Sequence, residues 1–325
     1  MSLFSSKIQN VIGPGIIFAG AAIGGSHLMS STTAGARFGF SLIVLILITN
    51  FLKYPFLLVG TRFTASTGMT LLEGFKKRNS LYLPIFLIIS LVTGTFTIAA
   101  VSFVSGVLLT NIPLFSNFPP MDLSIIVLVI CGFILIFGKY KALDNLSKIL
   151  VSLLTILTFF AVISLLINGS LNNDLTATFF NPETSPWRLS NLSFLIPLMG
   201  WMPCPVELCV WPSLWMFSKN KESKYRPTVQ EAEFDFNLGY LITIITAIFF
   251  VTLGAITMYG TGDGMLSGSG VSFAQNLIKL YTESIGEWSK WVIIPASFAA
   301  MFSTTLTCLD AYPRSISSIQ GLLRG

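Results

Sequence analysis

Charge is what this chain has least of. Only 10% of its 325 residues are Asp, Glu, Lys or Arg, against 53% hydrophobic, which is too little polar surface to clothe a soluble globule of this size. Histidine occurs once, as His27. Cysteine occurs four times, and Cys131, Cys204, Cys209 and Cys308 all stand in apolar surroundings rather than in polar loops, so they read as free thiols and not as a disulfide framework. Residues 81–110 contain no acidic side chain at all. No nucleophile triad, phosphate-cradling loop or dinucleotide fingerprint is present, which disfavours an enzyme, and nothing calls for a bound cofactor. No aromatic-interleaved basic patch or zinc-ligand spacing points to nucleic acid.

What the chain does have is a succession of apolar runs. About 18 or more apolar residues are needed to cross a hydrocarbon core of roughly 30 Å, and runs of that kind fall near residues 12–34, 40–61, 81–110, 122–138, 149–168, 189–218, 236–259 and 290–309. This predicts an all-α, multi-pass membrane protein of about eight spans with the bilayer as its main partner. The first run opens on Gly13-Pro14-Gly15 and lacks a small-residue cleavage site, so no cleavable leader is expected. Residues 271–279 space their apolar positions for a short surface helix. With the amino terminus in the cytoplasm, the inner loops carry Lys7, Arg62, Lys76 to Arg78, Lys139, Lys141, Lys148, Lys219, Lys221, Lys224, Arg226, Arg314 and Arg324, and the outer ones only Arg37, Arg188, Lys279 and Lys290. Positive-inside bias then sets that orientation.

Two spans are interrupted. The first carries Ile23-Gly24-Gly25-Ser26-His27 and the sixth Met199-Gly200-Trp201-Met202-Pro203-Cys204-Pro205. They lie five spans apart, as corresponding unwound helices do in transporters built from two inverted five-helix repeats, where freed carbonyls and helix ends bind cargo near the midplane. Gly24 and Gly25 also suit plain helix packing. Pro203 and Pro205 each remove an amide donor, which frees a carbonyl that needs a cation, a water or a neighbouring side chain. His27 beside the first break is able to ligate a borderline metal, carry a proton, or simply be hydrogen-bonded. Met202 offers a soft thioether or packing bulk. Glu207, about one turn beyond Cys204, is an acid at membrane depth that either binds a cation or proton, pairs with Lys53, or faces an aqueous vestibule. Asp310 beside Arg314 reads as structural.

Several stretches resemble the NRAMP family of divalent-metal transporters: Gly13-Pro14-Gly15, Thr33-Ala34-Gly35-Ala36-Arg37-Phe38-Gly39, Arg62 with Ser66-Thr67-Gly68, the segment 140–151, and Met202-Pro203 where that family carries a Met-Pro-His motif. The likeness runs over essentially the whole chain and is strongest over residues 13–73. It implies a LeuT-like inverted-repeat fold of the APC superfamily, with residues 12–168 as a first five-helix repeat and 189–325 as a second. It also implies metal uptake commonly coupled to protons, with the divalent metal as cargo, and a site on the first and sixth helices.

The departures from that family are specific. Gly24-Gly25-Ser26-His27 stands where the family has Asp-Pro-Gly-Asn, so the charged ligand is gone. Met199 stands at its carbonyl-donating alanine, Met202 keeps the thioether, and Cys204 and Cys209 replace two histidines of its sixth helix. The resemblance thus nominates Gly24, His27, Met199 and Met202 as site residues, with Cys204, Glu207 and Cys209 as accessories. A divalent cation without the carboxylate loses its main charge compensation. Three outcomes follow: a softer site using His27, Met202 and Cys204 with Glu207 supplying the charge; a hydrated cation held by carbonyls and water; or a non-metal solute. Two five-helix repeats need ten spans, so the second repeat reads as incomplete, which suggests a fragment, helices supplied by a partner, or a non-transporting membrane protein.

Overall fold

The computed structural model describes residues 11–167, 185–259 and 286–324, together with 278 and 282. The segment 271–279 with its proposed surface helix therefore lies outside the described residues, apart from 278. Among the described residues the secondary structure is entirely helical. The helices are α1 (Pro14–Ala22), α2 (Thr32–Phe38), α3 (Ile43–Thr67), α4 (Leu71–Arg78), α5 (Tyr82–Leu109), α6 (Pro120–Ile167), α7 (Leu192–Trp201), α8 (Trp211–Ser223), α9 (Val229–Met258) and α10 (Lys290–Arg324). A π-helical turn, Ser26–Ser31, joins α1 to α2, and a 3-10 turn, Val206–Cys209, lies between α7 and α8.

Six helical stretches are long and apolar enough to cross a membrane. One of them, α6, has 48 residues. At 1.5 Å per residue it is about 70 Å of helix, more than twice the hydrocarbon thickness. It is divided at Lys139, whose φ of 49° and ψ of −149° leave helical space. The predicted fourth and fifth spans thus form one helical run bent at a single residue. The first predicted span is not one helix but two short ones on either side of the π turn.

Boundaries moved where polar residues start a helix. Thr228 and Glu231 form a capping box that opens α9 at Val229, seven residues ahead of the predicted span, and this draws Asp235 into the bundle. A second capping box, Thr70 with Glu73, starts the short amphipathic α4, which hydropathy alone does not announce. The last helix runs on past residue 309 to Arg324, through Pro295 and Pro313.

The packing centres on α9 and α10, 56% and 72% buried over their apolar windows, compared with 22% for α5. Both halves of the interrupted first span lie against α9 at glycine contacts. A methyl group on Gly15 or Gly239 would strike the facing backbone at Asp235 or Gly15, and one on Gly35 or Gly254 would strike that of Val251 or Thr32. Such small residues let helix backbones approach closely where lipid supplies no hydrophobic drive. At the end of the bundle where α3 meets α4, basic residues are tied down. Lys219 and Lys148 meet the buried Asp144 at 2.7 and 3.0 Å, Arg62 pairs with Glu233, Lys76 donates to the Leu322 carbonyl at 2.6 Å, and Arg314 bridges Asp310 and Ser218. Asp310 also accepts from the Trp215 indole at 2.8 Å, which fits its structural reading.

Candidate substrate site

The first break begins with a helix held at its start. Pro14 occupies the first turn of α1, where its missing N–H costs nothing, and the Asp235 carboxylate accepts from the amides of Gly13 and Gly15 at 3.0 and 2.7 Å. A carboxylate on a helix amino terminus is favoured by both hydrogen bonding and the helix dipole. The α1 ladder stops at Ile23, whose C-terminal side leaves helical geometry (φ −81°, ψ 77°). Two carbonyls near this end, Gly20 and Ile23, accept from the Thr304 hydroxyl of α10 at 3.1 and 3.3 Å. Gly24 has no side chain because Thr304 occupies that space: a Cβ there would lie 2.9 Å from the Thr304 Cβ.

His27 is fully buried and turned toward α9. Its Nε2 lies 3.0 Å from the Thr243 carbonyl oxygen, and its Nδ1 lies 2.8 Å from the Ser26 hydroxyl. A carbonyl only accepts, so Nε2 carries the proton and donates, which leaves Nδ1 of the neutral ring to accept from Ser26. Both ring nitrogens are committed within the protein. Ser26 stands equally close, 2.8 Å, to the Ala22 carbonyl.

The sixth span breaks for a different reason. α7 ends at Trp201, Met202 adopts an extended conformation (φ −87°, ψ 127°), and Pro203 and Pro205 have no amide to offer. The Gly200 carbonyl, which a continuing helix would pair with the amide of Cys204, instead accepts from the Lys53 ammonium at 2.6 Å, and the Cys204 carbonyl does so at 3.2 Å. Lys53 therefore does not pair with Glu207, whose carboxylate accepts from the Tyr312 hydroxyl at 3.1 Å.

Between the two breaks lies a cavity of about 260 Å³. Its wall comprises Gly24, Gly25, Ser26 and Met29 of the first span, Phe96, Thr97 and Val104 of α5, Trp201, Cys204, Pro205, Leu208 and Trp211 of the sixth, and Met301, Thr304, Cys308 and Tyr312 of α10. Of the residues nominated from sequence, the structure brings Gly24 and Cys204 to this wall. His27 faces Thr243. The Met202 sulfur lies 3.8 Å from the Ser31 hydroxyl within the apolar cluster of Ala34, Leu198 and Val251. Met199 is 41% exposed on the outer side of α7, and Glu207 reaches the cavity only through Tyr312. Cys209 packs against the neighbouring core.

Sequence reasoning missed most of the wall, Thr304 and Tyr312 included, and Asp235 behind it, while Lys53 was named only as a possible partner of Glu207. A signal existed for Thr304, because Ser303-Thr304-Thr305 with Thr307 concentrates hydroxyls inside an apolar helix, where each needs a partner. No side chain on the wall is ionised at neutral pH. Four carry sulfur: Met29, Cys204, Met301 and Cys308. Among the described residues no group of three or more His, Cys, Asp or Glu is placed to hold a metal ion.

A multi-pass helical bundle with a cavity between two interrupted spans is the architecture of a membrane transporter. The chain belongs to the Natural resistance-associated macrophage protein-like (Nramp) family, whose model matches residues 15–321. It is 38% identical over 314 residues to an uncharacterized protein of Pasteurella multocida (strain Pm70), which covers 97% of this chain and 71% of that protein. Among solved structures it is similar to the manganese transporter of Eremococcus coleocola in complex with an aromatic bis-isothiourea substituted compound. That match has a TM-score of 0.62 and 14% identity, and it spans 99% of this chain and 70% of the other. A mutant of the same transporter matches with a TM-score of 0.60 and 14% identity over 96% and 68% of the two chains. These matches establish an NRAMP or LeuT-like transporter fold and not that of an enzyme.

Proposed function

We propose that this protein is a secondary transporter that carries a divalent metal cation through the cavity between its first and sixth spans, by way of a site altered toward soft donors. The observation that carries this reading is the pair of breaks closing on one cavity whose wall presents the sulfur atoms of Met29, Cys204, Met301 and Cys308. Thiol and thioether donors favour softer metals over magnesium or calcium. The family and the manganese-transporter fold support a metal cargo. Glu207, hydrogen-bonded to the wall residue Tyr312, is the acid best placed to add negative charge or carry a coupling proton. The basic end of the bundle faces the cytoplasm in this reading, following positive-inside bias. Residues 12–168 and 189–325 correspond to the two repeats.

Equilibrium dialysis of the full chain in lipid nanodiscs against a mixture of manganese, cobalt, nickel, zinc and cadmium, followed by elemental analysis, tests the metal. One softer metal is expected to be retained, and Cys204→Ser with Cys308→Ser to weaken it by about tenfold or more. His27→Ala with Met202→Ala is expected to lower stability more than metal retention. A folded wild type that retains no metal above background sinks the metal reading.

A second reading, transport of a small non-metal solute, is favoured by one feature of the wall: it has no ionised side chain. Moving a unit charge from water into a dry interior costs on the order of 20 kcal/mol before compensation, whereas an uncharged solute needs only shape and a few hydrogen bonds. The cavity exceeds the roughly 150 Å³ void that admits benzene. Saturable, metal-independent uptake of a small organic solute into proteoliposomes, lost on Thr304→Leu, would support this reading. A folded protein with no flux of either cargo would leave the non-transporting alternative.

A further inference from the structure

Lys53 is the eleventh of the 25 residues of α3. Its neighbours Phe51, Leu52 and Phe56 are 78%, 60% and 63% exposed, as side chains facing lipid are. A charged group at such depth is costly and is retained where it meets a partner. Among the described residues no carboxylate forms an ion pair with Lys53. Its partners are two carbonyl oxygens, Gly200 at 2.6 Å and Cys204 at 3.2 Å, four residues apart across the sixth-span break.

Those oxygens are available because the helix has been interrupted. Gly200 has lost the amide of Cys204 because the chain turns extended at Met202, and the amide of Leu208, which a helix would give to the Cys204 carbonyl, donates to Pro205 instead. Two backbone oxygens converging on one point form a cradle for a monovalent cation, as unwound carbonyls do where transporters coordinate coupling ions. Here the point is occupied by an ammonium on a four-carbon tether. The tether keeps its stem in apolar surroundings and delivers only the charged head.

We propose that Lys53 is a built-in cation that fills the carbonyl cradle of the sixth-span break, so that no exogenous cation binds there. The proposal rests on the reading of the adjoining cavity as the cargo site, because Cys204, whose carbonyl holds the ammonium, also lines that cavity. Cargo in the cavity therefore sits beside a fixed positive charge. A cation cargo draws its donors from the side chains of the wall and not from Gly200 or Cys204, and a cargo with an anionic group gains from the same charge.

The test is thermal unfolding of the full chain in nanodiscs, followed by tryptophan fluorescence, in lithium, sodium, potassium or choline chloride at one ionic strength. Wild type is expected to unfold at the same temperature in all four salts. Lys53→Met, which keeps the stem and removes the charge, is expected to unfold about 5 °C lower in choline, with saturable recovery in one alkali cation. Lys53→Arg keeps a donor and a charge and is expected to stay indifferent to the salt. Saturable stabilisation of wild type by an alkali cation, or a Lys53→Met protein equally destabilised in every salt, overturns the proposal. The wild-type arm and a Lys53→Gln variant, which retains a donor, keep the test decisive if Lys53→Met does not fold. No flux is measured, so loss of the transport reading would show separately, in the proteoliposomes.

Discussion

The two interrupted spans meet the same physical problem in opposite ways. At the first break the freed carbonyls of Gly20 and Ile23 face a hydroxyl, that of Thr304 from α10. That partner is neutral, and the space is so tight that only glycine fits at position 24. At the sixth break the carbonyls of Gly200 and Cys204 face an ammonium from α3, and the site is open: a Cβ on Gly200 meets nothing within 4 Å. One break is closed by packing and uncharged hydrogen bonds, the other by a single charge in loose surroundings. The first should therefore be sensitive to volume and the second to charge.

Substitutions can break this contrast. The largest effect is expected from Gly24→Val, which forces its methyls into Thr304. A loss on the order of 3 kcal/mol or more, read by thermal or denaturant unfolding, follows from overpacking at a site that cannot yield. Thr304→Val keeps the shape but removes the hydroxyl from two buried carbonyls, and a cost of about 2 kcal/mol is expected, with Thr304→Ser recovering part of it. Tyr312→Phe removes one hydrogen bond to Glu207 and should cost about 1 kcal/mol, while changing cargo uptake more than stability if Glu207 serves the cavity. Gly200→Ala is the sharpest control: within about 0.5 kcal/mol of wild type, in contrast to Gly24→Val. A severe Gly200→Ala would erase the distinction between a packed break and a charged one.

What was legible in the sequence follows the same division. Apolar runs and the Gly-Gly and Pro-x-Pro interruptions are local signals, because length, glycine and proline act on the backbone where they stand. They mark apolar stretches and both breaks, although the first span is two short helices and the fourth and fifth form one helical run. The partner that takes up each freed carbonyl is a tertiary fact, and Thr304 lies about 280 residues from the Gly20 and Ile23 carbonyls it serves while Lys53 lies about 150 from Gly200. His27 shows the limit most clearly. Its residue type announces metal or proton chemistry, yet the contacts of both ring nitrogens are with Ser26 and Thr243. Asp235 was hidden for a different reason: it precedes the apolar run by one residue, and only the capping box at Thr228 extends α9 far enough to place it over the start of α1.

The glycine contacts of α9 have a mechanical consequence. Because Gly239 is seated on α1 and Gly254 on α2, one helix splints both halves of the first span. The break at Gly24 is thus not a free hinge, since the two pieces on either side of it are fastened to the same rod. On the other side of the cavity α10 packs most extensively on α6 and α5. It is also fastened to the first span, because Thr304 packs on Gly24 and donates to the Gly20 and Ile23 carbonyls, so the two pieces of that span are held from both sides.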